Sequence, residues 1–269
     1  MRKPTYDLIG DIAILKFDRE TSKNEKIKFA EEFLSKEKHI KTVLEKTDRT
    51  KGRLRTIKTK FLSGENKKIT THLENSCRFK LNVDETYFSP RLSNERKLLA
   101  EEITKKGTKT KNKILVLFAG VAPFPIVIAH FLRTSKKKAI LVSNELNRKA
   151  SKFAEENVKL NRLQDYIKVV QGDAKKIDIL VKKNKLPTKY DFIMMARPNL
   201  KETFLKETLK VAKKGTIIYY HGFGTQEKVL EEVNKDLKKA KAKTSKIEIR
   251  KAGEIAPHEY RWLISFMIK

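Results

Sequence analysis

The first third of the chain alternates apolar and polar residues in a way that predicts a small mixed domain. Residues 7–17 carry clustered β-branched residues around a Gly-Asp turn, which predicts strands, and residues 25–38 place apolar side chains at helical spacing. Short strand-like runs follow, separated by glycines and polar turns, at 42–44, 53–61, 69–73 and 78–83. We therefore predict a small α/β domain over residues 1–88.

The pattern changes beyond residue 88. Residues 89–106 predict a connecting helix with Ser93 as its N-cap. Continuous apolar runs then alternate with helical stretches, and these runs lie at 114–118, 139–142, 167–170, 191–195, 216–220 and 262–268. This alternation predicts a Rossmann-like α/β domain over residues 107–269, with a mostly parallel, doubly wound sheet and a late hairpin at its edge.

The charge of the chain indicates a polyanionic partner. Lys and Arg total 62 against 33 Asp and Glu in 269 residues, for a formal net charge of +29. The excess is spread along the chain, which favours a broad phosphate-binding face over a basic tail. A lysine-rich composition also accompanies life at high temperature, so charge alone leaves that alternative open. In the small domain the predicted strands are rich in cations, which predicts a positive sheet face, and these cations are Lys46, Arg49, Lys51, Arg53, Arg55, Lys58 and Lys60.

Several other classes of protein are disfavoured. A single cysteine, Cys77, excludes internal disulfides and a thiolate metal cluster, and the five histidines lack the spacing of zinc ligands. No run of 18 apolar residues occurs, which disfavours a membrane span. We expect a cytoplasmic protein without a bound metal, and strong like-charge repulsion favours a monomer.

The predicted sheet locates a cofactor site at the carboxyl ends of its first strands. The turn Phe118–Phe124 follows the first strand, Glu145 ends the second, and Asp173 follows the third. An acid at the position of Glu145 can accept hydrogen bonds from both ribose hydroxyls of a nucleoside, and Asp173 can reach the adenine edge. Because the turn lacks the G-x-G-x-x-G pyrophosphate cradle, S-adenosylmethionine is favoured over a dinucleotide.

Short motifs along most of the chain resemble those of one known family. They are Ile9–Ile14 (IGDIAI), His72–Asn75 (HLEN), Tyr87–Leu92 (YFSPRL) with Glu95 and Arg96, Phe118–Phe124 (FAGVAPF), and Ala256-Pro257 with Glu259-Tyr260. Together they resemble the archaeal and eukaryotic tRNA (guanine-N1)-methyltransferases that modify the base 3′ to the anticodon, to which the wybutosine-pathway enzymes are closely related. The resemblance implies a small RNA-recognition domain before a class I methyltransferase domain.

The resemblance also implies residue roles. Glu95 matches the base that removes the guanine N1 proton, Arg55 the arginine that holds guanine O6 and phosphate, and Tyr87 the aromatic residue that packs on the target base. Cofactor contacts are implied for Phe118, Ala119, Gly120, Val121, Glu145, Leu146, Asp173, Ala174, Ala196 and Pro198. Contacts with the tRNA substrate are implied for Arg91, Arg96, Arg197 and Asn199.

Three positions depart from the family pattern. In the cofactor loop, Val116 stands where the family has an acid and Ala122 replaces a glycine, and in the segment that closes over the target base Ala196 replaces an asparagine. The change at Ala196 is expected of a branch that methylates a ring carbon of the tricyclic wybutosine precursor, instead of or in addition to guanine N1. Two alternatives remain at this point: transfer of the aminocarboxypropyl group of the same cofactor, and a tRNA-binding protein without catalysis.

Overall fold

The chain forms two compact units, which are described separately. The computed structural model describes residues 3–48, 52, 54–256 and 259–269, and the units divide between residues 90 and 91. Arg49, Lys51, Arg53 and Pro257 lie outside the described residues. The helix predicted to connect two domains belongs to the second unit.

The first unit is a small α/β domain. Its elements are β1 (Thr5–Ile9), β2 (Ile12–Lys16), α1 (Lys23–Lys36), β3 (Thr42–Lys46), β4 (Thr59–Gly64), β5 (Ile69–Glu74) and β6 (Cys77–Asn82). Among the described residues, β1 to β4 form a sheet in that order, parallel only between β2 and β3, and β5 pairs with β6 as a hairpin. The β2-α1-β3 crossover lets α1 cover one face of the sheet.

Helix α1 is stabilised by a capping box at its start and by its apolar side. Ser22 and Glu25 form a reciprocal capping box, which satisfies backbone N–H groups at the helix start. The buried Ala30 packs with Ala13, Leu15 and Val43 in the core between helix and sheet. The predicted elements 7–17 and 25–38 are therefore confirmed within small shifts of their ends.

The positive strand face predicted in this unit is only partly formed. Lys46 and Lys60 lie in strands, but the predicted strand over 53–61 starts at Thr59. Arg55 and Lys58 therefore lie in the connection before β4, where Arg55 adopts a left-handed backbone with φ of 57°.

The second unit carries the large sheet. Its elements are α2 (Ser93–Lys106), β7 (Asn112–Leu117), α3 (Pro123–Thr134), β8 (Ala139–Glu145), α4 (Arg148–Leu160), β9 (Ile167–Gln171), α5 (Ile177–Lys183), β10 (Tyr190–Met195), α6 (Leu205–Lys210), β11 (Ala212–Gly224), α7 (Gln226–Lys239), β12 (Glu248–Ala256) and β13 (Glu259–Met267). Short 3-10 turns cover Pro90–Leu92 and Ala174–Lys176.

The strand order confirms the predicted fold class. In the described chain the order is β12-β13-β11-β10-β7-β8-β9, with parallel pairing from β11 to β9 and an antiparallel hairpin at the other edge. The central strands are continuous apolar runs because helices cover both sheet faces. This is the topology of a class I methyltransferase domain.

The N-cap of helix α2 lies one residue earlier than predicted. Ser93 is the first helical residue, and Leu92 occupies the N-cap position without a side-chain cap. The prediction of Ser93 as N-cap is wrong because the 3-10 turn Pro90–Leu92 leads directly into the helix. Across both units, none of the helices within the described residues combines the length and apolarity of a membrane span.

Candidate functional site

The carboxyl ends of the central strands are joined by backbone hydrogen bonds at one edge of the sheet. The turn after β7 alternates left-handed residues, with positive φ at Phe118, Gly120 and Ala122. Its backbone is tied to neighbouring strands: Ala119 N donates to Asn144 O (2.9 Å), and Ala196 N donates to Leu117 O (3.2 Å). These hydrogen bonds hold the turn beside the ends of β7, β8 and β10.

Glu145 is the acidic group at this edge. Its Oε2 accepts from Gly120 N at 2.8 Å and its Oε1 accepts from Asn147 N at 2.7 Å. Burial raises the pKa of Glu145, and the hydrogen bonds from the Asn147, Gly120 and Leu146 backbones oppose that rise. Each carboxylate oxygen keeps a further lone pair, so two ribose hydroxyls could still donate to it.

The remaining predicted cofactor residues lie along the same edge. Asp173 caps the 3-10 turn after β9, where its carboxylate accepts from Lys175 N at 3.0 Å. A buried amide that the sequence did not single out supports this corner, because Asn144 donates to both Val170 O and Gly172 O at 3.1 Å. The predicted contacts belong to the segments after β7, β8, β9 and β10, and these are Phe118, Ala119, Gly120, Val121, Leu146, Ala174, Ala196 and Pro198.

Glu95 forms a buried ion pair in the second unit. The side chain of Glu95 is 4% exposed, and Arg250 on β12 binds its carboxylate with both Nη atoms, at 2.6 and 3.0 Å. A buried carboxylate requires a cation or several donors to remain ionised, and a two-point arginine contact is the strongest such arrangement. This contact fixes the position of the Glu95 carboxylate inside the protein.

His221 lies beside the Glu95–Arg250 ion pair. It lies near the carboxyl end of β11, is 1% exposed, and has its Nε2 at 3.8 Å from Glu95 Oε1. Burial lowers the pKa of His221 to about 4, with the Arg261 and Arg250 charges in the same direction and Glu95 opposing them. Its Nε2 has no hydrogen-bond partner among the described atoms, and Phe124 packs against the ring edge to face at 5.7 Å.

Two predicted site residues meet in the first unit. The guanidinium carbon of Arg55 lies 5.9 Å from the centroid of the Tyr87 ring, a cation–π contact, and Tyr87 is 36% exposed. An exposed aromatic ring beside an arginine offers both a stacking surface and hydrogen-bond donors to a planar anionic ligand such as a nucleotide.

Family comparisons agree with this geometry. Residues 70–250 match the TRM5/TYW2 methyltransferase domain, and residues 3–67 match the TYW2 N-terminal domain. The chain belongs to the TRM5/TYW2 methyltransferase family. The resemblance noted in the sequence is therefore confirmed.

Individual members of the TRM5/TYW2 family show what the chain is similar to. The tRNA (guanine(37)-N(1))-methyltransferase Trm5b of Pyrococcus abyssi is 30% identical over 98% of this chain and 74% of its own length. The tRNA (guanine(37)-N(1))/4-demethylwyosine(37)-methyltransferase Taw22 of Nanoarchaeum equitans is 39% identical over 76% of this chain and 65% of its own. Trm5 of Methanocaldococcus jannaschii, solved in complex with adenosine, superposes with a TM-score of 0.77 at 27% identity, covering 98% of this chain and 74% of that one.

Two arginines predicted to contact tRNA are buried instead. Arg197 is 3% exposed, and its guanidinium donates to the backbone carbonyls of His221, Leu200 and Glu202 while facing the Tyr220 ring. Arg96 is 1% exposed and faces Phe124 at 5.9 Å. A phosphate cannot reach guanidinium groups that the protein itself surrounds, so these residues support the site from within.

The other two substrate predictions fall on exposed residues. Arg91 lies in the 3-10 turn before α2, and Asn199 follows β10 in the segment that Arg197 holds. Both positions remain predictions of RNA contact. No group of His, Cys, Asp and Glu within the described residues has the arrangement of a metal site.

His221 and Arg250 are the site residues that the sequence analysis missed. The sequence contained a hint for each residue. His221 directly follows the apolar run 216–220, so it lies near the carboxyl end of a predicted strand, where ligands of this fold bind. Arg250 precedes the Ala256-Pro257 motif by a few residues. Its pairing with Glu95 joins residues 155 positions apart, which only the sheet topology brings together.

Proposed function

We propose that this chain transfers a methyl group from S-adenosylmethionine to N1 of guanine 37 of tRNA, the base on the 3′ side of the anticodon. The observation that carries the proposal is a buried glutamate bound at two points by an arginine in a methyltransferase domain of the TRM5/TYW2 family. The tRNA activity in the names of both relatives supports the same substrate.

The reaction requires a base, and Glu95 fits that role. Guanine N1 carries a proton at neutral pH, so a positioned base must remove it as the new N–C bond forms. A carboxylate that is already ionised can accept this proton without first losing its own. Arg250 holds the Glu95 carboxylate in place through both of its oxygens, and the lowered pKa of His221 leaves that neighbour uncharged at neutral pH.

Arg55 and Tyr87 are proposed to bind the target base. As the N1 proton leaves, negative charge develops on guanine O6, and an arginine donor stabilises it. The ring of Tyr87 offers a stacking surface to a base that has left the anticodon stack. The cation–π contact between the two side chains orients both for such a ligand.

The edge around Glu145 fits S-adenosylmethionine, which supplies an electrophilic methyl group when bound. The carboxylate of Glu145 is anchored by two backbone N–H groups and still has acceptor capacity for ribose hydroxyls. The main-chain turn at Phe118–Ala122 lies directly beside it. The adenosine complex of the Methanocaldococcus relative supports a nucleoside site in this fold.

A second acceptor, the tricyclic wybutosine precursor, is also proposed. The relative from Nanoarchaeum, at 39% identity, is named for methylating both guanine 37 and 4-demethylwyosine 37. Ala196 removes a side-chain amide from the segment after β10, which leaves room for a larger base. We therefore expect the chain to accept both substrates.

The test is product analysis. The protein is incubated with methyl-labelled S-adenosylmethionine and either an unmodified tRNA transcript, the same transcript with adenine at position 37, or tRNA carrying the wybutosine precursor. We expect N1-methylguanosine from the first, no label in the second, and a methylated tricyclic base from the third.

Other products would contradict the proposal. Release of methylthioadenosine without label in RNA would indicate aminocarboxypropyl transfer. Salt-sensitive tRNA binding with no product and no cofactor affinity would indicate a protein that only binds tRNA.

A further inference from the structure

The large net charge is distributed unevenly over the two ends of the central sheet. At the carboxyl edge, the described connections between the parallel strands and their following helices carry charges of both signs: Asp173 and Glu202 beside Lys175, Lys176, Arg197 and Lys201. At the amino edge, the connections that lead into the strands are dominated by lysine. The larger excess of lysine in this unit therefore lies away from the proposed reaction site.

Six exposed lysines define this surface, which we call the amino-edge lysines. They are Lys111, Lys136, Lys138, Lys214, Lys243 and Lys269. None of the six makes an ion pair within the described residues, whereas the neighbouring Lys213 is paired with Asp191 at 2.6 Å. Their charges are thus available to a ligand from solution.

The backbone places these lysines along a line across the sheet. Lys269 N donates to Lys243 O at 2.9 Å, Gly215 N next to Lys214 donates to Ile268 O at 2.8 Å, and Asn112 N next to Lys111 donates to Lys138 O at 3.0 Å. Neighbouring strands lie about 4.8 Å apart, so the line from β13 to β8 spans about 20 Å. Such a row of unpaired cations matches a phosphodiester backbone better than a single small anion.

The amino edge is too far from the carboxyl edge to contact the target nucleotide. Strand β7 has six residues, which separates the two edges by about 20 Å. An RNA phosphate at the amino edge therefore belongs to another part of the substrate or to another RNA molecule.

We propose that the amino-edge lysines form a second RNA-binding surface, which binds the phosphate backbone of RNA outside the anticodon arm. The inference rests on the proposed function only in taking RNA as the polyanion. The ligand is either the body of the same tRNA or a second RNA, and both have the same phosphate chemistry.

The test compares two sets of charge-neutralised variants of the full chain. In one, Lys111, Lys138, Lys214 and Lys269 are changed to Gln. In the matched control, four exposed lysines elsewhere in the same unit are changed to Gln: Lys152, Lys168, Lys206 and Lys235. Affinity for full-length tRNA and for the isolated anticodon stem–loop is measured over a range of salt concentrations.

We expect the amino-edge variant to bind full-length tRNA with an affinity about tenfold lower or more. In a plot of the logarithm of the binding constant against the logarithm of the salt concentration, its slope should be shallower by about two to four. Its affinity for the stem–loop stays within threefold of the wild type, as do both affinities of the control. If the affinity falls while the stoichiometry stays at one tRNA per protein, the ligand is the body of the same tRNA. If the wild type binds two RNA molecules and the variant binds one, the ligand is a second RNA.

Three results would overturn the inference. The first is an equal loss of tRNA affinity in the amino-edge and control variants. The second is a loss of affinity in the amino-edge variant that is the same for full-length tRNA and for the stem–loop. The third is binding to anionic phosphatidylserine vesicles that depends on these lysines while RNA binding does not. Methyl transfer by the wild type to full-length tRNA is measured in parallel. Its absence would contradict the proposed function, while the binding comparison would still test this surface.

Discussion

Arg250 binds the carboxylate of Glu95 through both terminal nitrogens, at 2.6 and 3.0 Å, although 155 residues separate the two in sequence. The glutamate is buried, whereas the side chain of Arg250 is 37% exposed. The arginine side chain therefore reaches from the solvent to the buried carboxylate and fixes the orientation of that carboxylate.

Substitution of Arg250 tests this relationship. Removal of one partner from a buried pair leaves the other charge uncompensated. In Arg250→Ala we expect the rate of methyl transfer at neutral pH to fall by about tenfold or more, because Glu95 loses the group that positions it. Arg250→Lys should recover part of the rate, because it restores the charge but not the two-point contact.

The rates of these variants are measured in single turnovers with saturating cofactor and tRNA. A rate of Arg250→Ala equal to that of the wild type would contradict the role of Arg250 in positioning Glu95.

His221 makes the stability of the fold depend on pH. Burial lowers the pKa of His221 to about 4, while an exposed histidine titrates near 6.5. Between these values the unfolded chain binds a proton that the folded chain does not, so the free energy of unfolding falls as pH decreases from about 6.5 to 4. The loss attributable to this group is on the order of 2 to 3 kcal/mol at the acid end.

In His221→Phe this part of the pH dependence should disappear. Denaturant unfolding between pH 7.5 and 4 measures it, and His39→Asn, which changes an exposed histidine, is the control. The same slope in wild type and His221→Phe would show that His221 is not the group responsible.

Ala122 adopts a left-handed backbone that favours glycine. Its φ is 68° at the N-cap of α3, where the family pattern has glycine. A left-handed alanine costs about 1 to 2 kcal/mol, and glycine removes that cost but has greater freedom in the unfolded chain. We expect Ala122→Gly to leave the free energy of unfolding unchanged or to raise it by up to about 1 kcal/mol.

Ala129 provides the matched comparison, because it is equally buried but lies inside α3. Ala129→Gly should lower the free energy of unfolding by about 1 kcal/mol or more. Equal destabilisation by both substitutions, measured by denaturant unfolding, would be incompatible with a strained Ala122.

Glu145 is expected to determine cofactor affinity. In Glu145→Gln one carboxylate oxygen becomes an NH₂ donor, which cannot accept from Gly120 N or Asn147 N and offers less to ribose hydroxyls. Titration calorimetry with S-adenosylhomocysteine should show affinity weakened by about tenfold or more, the effect of losing a charge-assisted hydrogen bond. Glu155→Gln, an exposed change on α4, should bind as the wild type does; equal affinity of both variants would remove Glu145 from the site.

The sequence predicted the features that local patterns determine. Continuous apolar runs identified the parallel strands, and the position of Glu145 at the end of β8 placed it at the ligand edge. The pairing of Glu95 with Arg250 could not be predicted, because it depends on β12 lying at the far edge of the sheet. For Arg96 and Arg197, the family resemblance implied contact with the tRNA, but tertiary packing, which short motifs do not show, buries both side chains.

The role proposed for the buried Glu95 carboxylate is to take the guanine N1 proton. Single-turnover methyl transfer to tRNA is measured with Glu95→Gln and, as a control, with Glu101→Gln, an exposed change on the same helix. We expect a rate lower by a factor on the order of 10² or more for Glu95→Gln, with tRNA and cofactor affinities near wild type, and an unchanged rate for Glu101→Gln. An unchanged rate in Glu95→Gln would show that Glu95 is not the base.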